Sequence, residues 1–512
     1  MPKKMKISLA GVIDVGSSEL RLKIAQLSKN KMKYLESLTY PLALGRDTFN
    51  TGKISFEKVD KACEIIKNFL LICKEYTVTD IRVLATTAVR EATNMDYFLD
   101  QVKIKTGMSI NVIDDTEEKL YIYKILTRLS KVDVISSALM VHIGSGNIGV
   151  ALLQGGRILL TRNIKVGSLR ISELFDDIEE YSGEFYIVLE EYLHSYTDLL
   201  TNDVPDNIKH FIVSGTEISV LSGLTGVENN EMITNIPKPT FLSFYQEVIN
   251  KSTHNASKDY NLSIDKAELL LPTMCIFNNL MKLTNAEKII AADVMLSDAI
   301  LFEMLCADEF ALINKDFGKN AVLSARTLAR KYDAMESHYD LVSGFAQKIF
   351  DKMKKLHGMG QKERILLQIG AILHDVGKFI NLNEHHEHSY KIIKSSEIVG
   401  LNQYETEIIA NLALYHANRT PSASDESYSK LDLYNRVLVS KLTAILRLAD
   451  ALDQSHVQKF DTIDAKLTDN ELIVTIATDK NIHLEQWSFK LKSDFFEEVF
   501  GIKAIVKQKK IL

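Results

Sequence analysis

Two short segments of this chain alternate apolar and polar residues around a pair of small ones. Residues 7–27, ISLAGVIDVGSSELRLKIAQL, read as strand, Gly-Ser turn and strand, and residues 138–153, ALMVHIGSGNIGVALL, read the same way. IDVGSS falls on VHIGSG when the two are aligned, so the chain carries an internal repeat. In each copy strands come first and helices follow, which predicts two related α/β lobes, residues 1–128 and 129–310, around a cleft. Further on the apolar period lengthens to that of a helix. MESHYDLVSGFAQKIF, RILLQIGAILHDVGKF and SKLTAILRLADALDQS each gather apolar residues on one helical face, predicting an all-α domain over residues 318–457. The tail reads as strand (ELIVTIAT), strand (HLEQWSFKL), helix (DFFEEVFG) and strand (IKAIVKQ), a small α+β domain over residues 458–512.

A chain of 512 residues is too long for one core, in line with several domains, and 46% hydrophobic residues with seven prolines exclude extended disorder. The net charge of -6 argues against nucleic acid as a general partner, because duplex binding needs a positive footprint. Cys63, Cys73, Cys275 and Cys306 lie in apolar helical runs without metal spacing, as core residues of a reducing compartment do. Asp14 interrupts the first apolar stretch, so no secretory signal is expected there. His142 and three glycines break the apolar run over 134–153. The expected setting is cytoplasmic, with no membrane partner.

Small residues at a tight turn let successive backbone N–H groups face one point and bind phosphate oxygens. Gly16, Ser17 and Ser18 form one such turn; Gly144, Ser145, Gly146 and Asn147 form the other. The C-terminal third offers different chemistry. His338 falls on the apolar face shared with Leu341, Val342 and Phe345, and Asp450 falls in line with Thr443 and Leu446, an inward row where an unpaired carboxylate is costly. His374 and Asp375, about 100° apart on a helix, reach one centre only at a kink or terminus, which Gly377 supplies. Imidazoles and carboxylates together suit Mn²⁺, Fe²⁺ or Zn²⁺, and His388 and His416 are further candidates for a second ion or a phosphate oxygen.

The order His, His-Asp, Asp, with Lys378 after the doublet, resembles the HD-domain metal phosphohydrolases over roughly residues 320 to 455. That pattern gives His385 and His386 no role. The N-terminal 310 residues resemble the exopolyphosphatase and guanosine pentaphosphate phosphohydrolase family, built on a duplicated actin-like, sugar-kinase-like fold. The segments that carry the resemblance are VIDVGSS, LATTAVREATN, VIDDTEEKLYIY, VGSLRISELF and IVSGTE. It implies phosphate contact by Arg90, Glu118 as general base, Asp14 as an acidic member of the site, and a third small-residue loop at Ser214, Gly215 and Thr216. It also implies Mg²⁺ in the cleft, against which stand His142 and Gly149, where the family has an aspartate and a glutamate. Phe302 and Met304 likewise replace an Arg and a Gly. Three functions remain open: release of terminal phosphate from polyphosphate or guanosine pentaphosphate, metal-dependent hydrolysis of a nucleotide or phosphoester in the HD-type domain, and non-catalytic sensing of polyphosphate or an alarmone. A homodimer is left open as well.

Overall fold

A computed structural model describes residues 8–29, 31–129, 137–175, 185–201, 204–215, 218–224 and 232–509. The chain divides into two compact units, residues 1–315 and 316–512.

Unit 1 contains two sheets of related topology. The first runs β3 (Lys31–Pro41), β2 (Glu19–Ser28), β1 (Ser8–Val15), β4 (Asp80–Ala85), β5 (Ile110–Val112) from edge to edge. Strands β1 to β3 are antiparallel, whereas β4 lies parallel to β1 and β5 parallel to β4. The second sheet uses β6 (Ala138–Ile143), β7 (Ile148–Gln154), β8 (Arg157–Ile164), β9 (His210–Gly215), β10 (Ile233–Pro237) and β11 (Lys288–Ala292) in the order β10-β11-β9-β6-β7-β8. Leaving out β10, an antiparallel edge strand, β8-β7-β6-β9-β11 repeats β3-β2-β1-β4-β5. The repeat extends to register, since Asp14 faces Arg21 across the first hairpin and His142 faces Gly149 across the second. Central strands β1 and β6 are buried on both faces over most of their length, which is why they read as nearly continuous apolar runs. Each lobe has its own core: Ile13, Leu20, Leu22 and Phe98 belong to the first, Leu139, Val141, Phe211 and Phe277 to the second.

Unit 2 opens with helices, among them Glu336–Lys352, Gln361–Leu373, His385–Lys394, Gln403–Tyr415 and Leu433–Ala451. It closes with a sheet of order β12 (Ile463–Leu467), β13 (Glu471–Ala477), β14 (Lys503–Lys509). The predicted strand over HLEQWSFKL is instead the first half of helix His483–Phe500. The topology requires this, because β13 and β14 are parallel and a parallel pair needs a crossover. The sequence reading also missed β12. One hydrophobic core runs across the expected boundary at 457/458, joining Phe345 and Ile349 of the helices to Phe460, Ile463, Leu472 and Phe489. Among the described residues no helix is long and apolar enough to cross a membrane.

Candidate functional site

In unit 1 the two repeat turns face one another. Ser18 Oγ and Ser145 Oγ are 2.8 Å apart, and a cavity of about 70 Å³ lies between the turns. Its wall includes Asp14, Gly16, Ser17, Ser18, Glu118, His142, Gly144, Ser145, Gly146 and Asn147, so both predicted turns and both predicted acids converge. Asp14 and Glu118 are buried, and among the described residues Asp14 Oδ1 and Glu118 Oε2 find no hydrogen-bond partner. Burial raises the Asp14 pKa to about 6; Arg21 opposes this and Glu118 adds to it.

Arg90 is placed differently from the expectation. It is absent from the cavity wall, and its guanidinium donates to the Ile113 carbonyl, Thr87 Oγ1 and Asp115 Oδ1, which occupy its fork. Arg21 is the arginine on the wall, paired with Glu19. The sequence signal was available, because Glu19, Arg21 and Lys23 alternate with Leu20 and Leu22 along β2. The third loop also departs from its predicted role. Ser214 is fully buried, its Oγ lies 2.9 Å from His142 Nδ1, and it braces that ring without lining the cavity. Gly215 has φ 145, and a Cβ there would strike the Ile143 carbonyl, so it serves close packing of β9 on β6. Thr216 lies outside the described residues. Phe302 is buried under the Arg128 guanidinium, 4.5 Å from its ring centroid.

Behind the second turn lies Lys119, which sequence reasoning missed. Its Nζ donates to Asn147 Oδ1 at 2.6 Å and stands 3.6 Å from Glu118 Oε1. Its stem fills the space over Gly149, where a Cβ would lie 2.7 Å from Lys119 Cγ and 2.6 Å from Tyr123 Oη. A glycine at 149 and a buried lysine at 119 are therefore sterically matched. Asn147 Nδ2 in turn donates to Asp115 Oδ1, which fixes the amide from both ends. His142 is held well below its ordinary pKa by burial and then by Lys119, leaving the ring neutral. Two orphaned carboxylate oxygens beside phosphate-binding turns fit Mg²⁺, which takes one or two carboxylates and completes its shell with phosphate oxygens and water.

Unit 2 brings together all four residues predicted as metal ligands. His338 lies in the first turn of its helix, and helix Gln361–Leu373 ends at His374 and Asp375 before a 3₁₀ turn over Val376–Phe379. Asp450 projects from helix Leu433–Ala451. His338 Nε2 and His374 Nε2 are 3.2 Å apart, Asp450 Oδ1 is 3.4 and 3.5 Å from them, and Asp375 Oδ2 is 3.6 and 3.5 Å from them. His338 Nδ1 is bound to Asp453 Oδ2 at 2.8 Å. Burial alone would raise both Asp375 and Asp450, yet the surrounding histidines and lysines hold each well below the carboxylate range. Burial lowers His338, but hydrogen bonds to Asp450 and Asp453 outweigh it and raise its pKa to about 9. Two cationic side chains stand at the rim: Lys378 Nζ is 2.5 Å from Asp375 Oδ2, and Lys492 Nζ is 2.5 Å from Asp450 Oδ2. His416 joins the cluster as expected, with Nε2 3.5 Å from Asp375 Oδ1. His388 does not. The imidazole of the HHEHS run that reaches Asp375 is His385, at 3.3 Å; position 388 lies on the same helical face but one turn further along the helix.

Two lobes with one strand order and a shared cleft define an α/β protein of the actin-like type. The chain belongs to the Ppx/GppA phosphatase family: the family model matches residues 23–307, and that of Ppx/GppA phosphatase domain III matches residues 322–497. The chain is 21% identical over 490 residues to the guanosine-5'-triphosphate,3'-diphosphate pyrophosphatase of Vibrio atlanticus, covering 93% of each. An exopolyphosphatase from Cytophaga hutchinsonii has a similar fold, with TM-score 0.54 and 19% identity over 59% of this chain and 98% of that one. The Aquifex aeolicus family member gives TM-score 0.50 at 19% identity over 59% and 99%.

Proposed function

We propose that the cleft of unit 1 hydrolyses the terminal phosphoanhydride bond of polyphosphate or guanosine pentaphosphate. The observation that carries this reading is the pair of unpartnered, buried carboxylate oxygens, Glu118 Oε2 and Asp14 Oδ1, on a cavity walled by two phosphate-binding turns. The cavity is far below the roughly 300–1,000 Å³ of pockets that enclose whole small molecules, so it suits a terminal phosphoryl group. Backbone N–H groups of residues 17–18 and 145–147 hold that group's oxygens, those of Gly16 and Gly144 closing the turns onto the Glu19 and Asn147 carbonyls, and the Ser18 and Ser145 hydroxyls donate from either side. Glu118 orients a water in line with the scissile bond and takes its proton as the new P–O bond forms and the bridging oxygen leaves with its electron pair. Mg²⁺ held by Asp14 would screen the phosphate charge, with phosphate oxygens and water completing its shell. Arg90, Asp115, Asn147 and Lys119 form a hydrogen-bonded brace that keeps the second turn and Glu118 in place. Glu118→Gln is expected to lower orthophosphate release by about 1,000-fold. An unchanged rate in that variant sinks this reading.

The convergence in unit 2 favours a second reading, a metal-dependent phosphohydrolase centre of the HD type acting on a nucleotide or phosphoester. His338, His374, Asp375 and Asp450 would hold a transition-metal ion, which supplies Lewis acidity toward a phosphoryl oxygen. Under this reading His374→Ala abolishes turnover and Glu118→Gln leaves it unchanged.

A further inference from the structure

We infer that the Lys119 ammonium is a cation built into the second phosphate-binding turn, so that the unit 1 cleft holds a terminal phosphate without a divalent ion. This rests on the phosphate reading of that cleft and deepens it. The internal repeat points to it. Across the first hairpin Asp14 faces Arg21, a carboxylate opposite a cation, and both line the cavity. Across the second, the same two register positions hold His142 and Gly149. The second hairpin, residues 138–154, therefore has no acid to hold a metal ion and no lysine or arginine of its own.

Lys119 brings the missing charge from helix Asp115–Leu129. Its stem crosses the face of Gly149, the position that matches Arg21 in the repeat. A Cβ there would lie 2.7 Å from both Lys119 Cγ and Lys119 Cδ, so glycine leaves this path open where any other residue closes it. The ammonium ends beside the turn: Nζ donates to Asn147 Oδ1 at 2.6 Å and lies 3.8 Å from where a Gly144 Cβ would stand.

The charge is not cancelled where it stands. Arg21 is paired with Glu19 and Arg90 with Asp115, each in hydrogen-bond contact. The hydrogen bond of Lys119 goes instead to a neutral amide, and Glu118 Oε1 stays at 3.6 Å. His142, against the same ammonium, is a neutral ring. Lys119 is only 3% exposed, so solvent screens it little and its field acts through the turn on the cavity. Keeping an ammonium out of water without a carboxylate in direct contact is costly, and an anion held on the backbone of residues 145–147 offsets that cost.

The test is calorimetric binding of bis(methylene)triphosphate, a triphosphate analogue whose P–C–P bridges resist hydrolysis, to the full chain in EDTA and in excess Mg²⁺. Wild type should bind it in EDTA with an affinity within about tenfold of that in Mg²⁺. Lys119→Met keeps the stem over Gly149 and removes the charge. It should lose about tenfold or more in affinity in EDTA but only a few-fold in Mg²⁺, where an ion on Asp14 takes over part of the compensation. Thermal melts in both buffers identify any loss that comes from unfolding, and the wild-type comparison stands without the variant. If wild type binds only with Mg²⁺, or Lys119→Met matches it in EDTA, the built-in cation is overturned and the cleft reading stands. A loss of equal size in both buffers also overturns it, and leaves Lys119 as part of the brace alone. No binding by wild type in either buffer overturns the inference and the cleft reading together.

Discussion

Asp14 illustrates how the cleft trades stability for chemistry. Its carboxyl has an ordinary pKa near 3.8 when the chain is unfolded and about 6 in the folded lobe, chiefly because it is buried. Between those values the folded chain keeps a proton that the unfolded chain has released, so stability is lost as pH rises through 6. At neutral pH the ionised group costs roughly 3 kcal/mol. Asp14→Asn should therefore raise the melting temperature at pH 7.5, leave it nearly unchanged at pH 4, and reduce phosphate release. Equal melting shifts at the two pH values would remove burial of charge as the cause. Much of this site was legible in the residues themselves: the two turns, Asp14 and Glu118 reach one cavity as their pattern suggested. Arg90 and Ser214 failed because a motif gives a residue's neighbourhood but not its partner, and both are engaged by nearby polar groups. Lys119 was hidden because its match with Gly149 is steric and spans 30 positions of sequence.

Elements place the ligands of unit 2. The end of helix Gln361–Leu373 turns His374 and Asp375 toward one point, and the absence of a side chain at Gly377 lets the next helix approach. Gly377→Ala puts a Cβ against backbone atoms that cannot rotate away, so helix His385–Lys394 must shift. A loss of about 2 kcal/mol or more in chemical denaturation is expected, together with weakened metal retention. Full stability in this variant would contradict the packing described. Choosing His388 over His385 was an error of one helical turn, since the two share a face and only the point where the helix begins decides which comes nearer to Asp375. HLEQWSFKL misled for a related reason: Leu484, Trp487 and Leu491 are exposed apolar residues of a helix whose buried face carries Glu485, Ser488 and Phe489. Apolar letters on both faces blur the period.

At the scale of the molecule, the duplicated lobes were legible because a turn motif recurred in the same context, and the repeated strand order bears this out. The division at 457/458 was drawn from a change of pattern, but one core crosses it, and the domain III match to residues 322–497 spans it as well. A chain ending at residue 457 would strip Phe460, Ile463, Leu472, Phe489 and Phe496 from that core and remove Lys492 from Asp450. Its unit 2 should lose cooperative thermal unfolding and bind hydrophobic dye, while an unchanged calorimetric transition would show two independent cores.

The central claim, that the unit 1 cleft binds a terminal phosphate and uses Glu118 to activate water, is tested most directly by measuring binding and turnover on one Glu118→Gln sample. With polyphosphate or guanosine pentaphosphate, affinity should stay within a few-fold of wild type while orthophosphate release falls by about 1,000-fold. Undiminished release, or a rate that falls only because the ligand no longer binds, would contradict it.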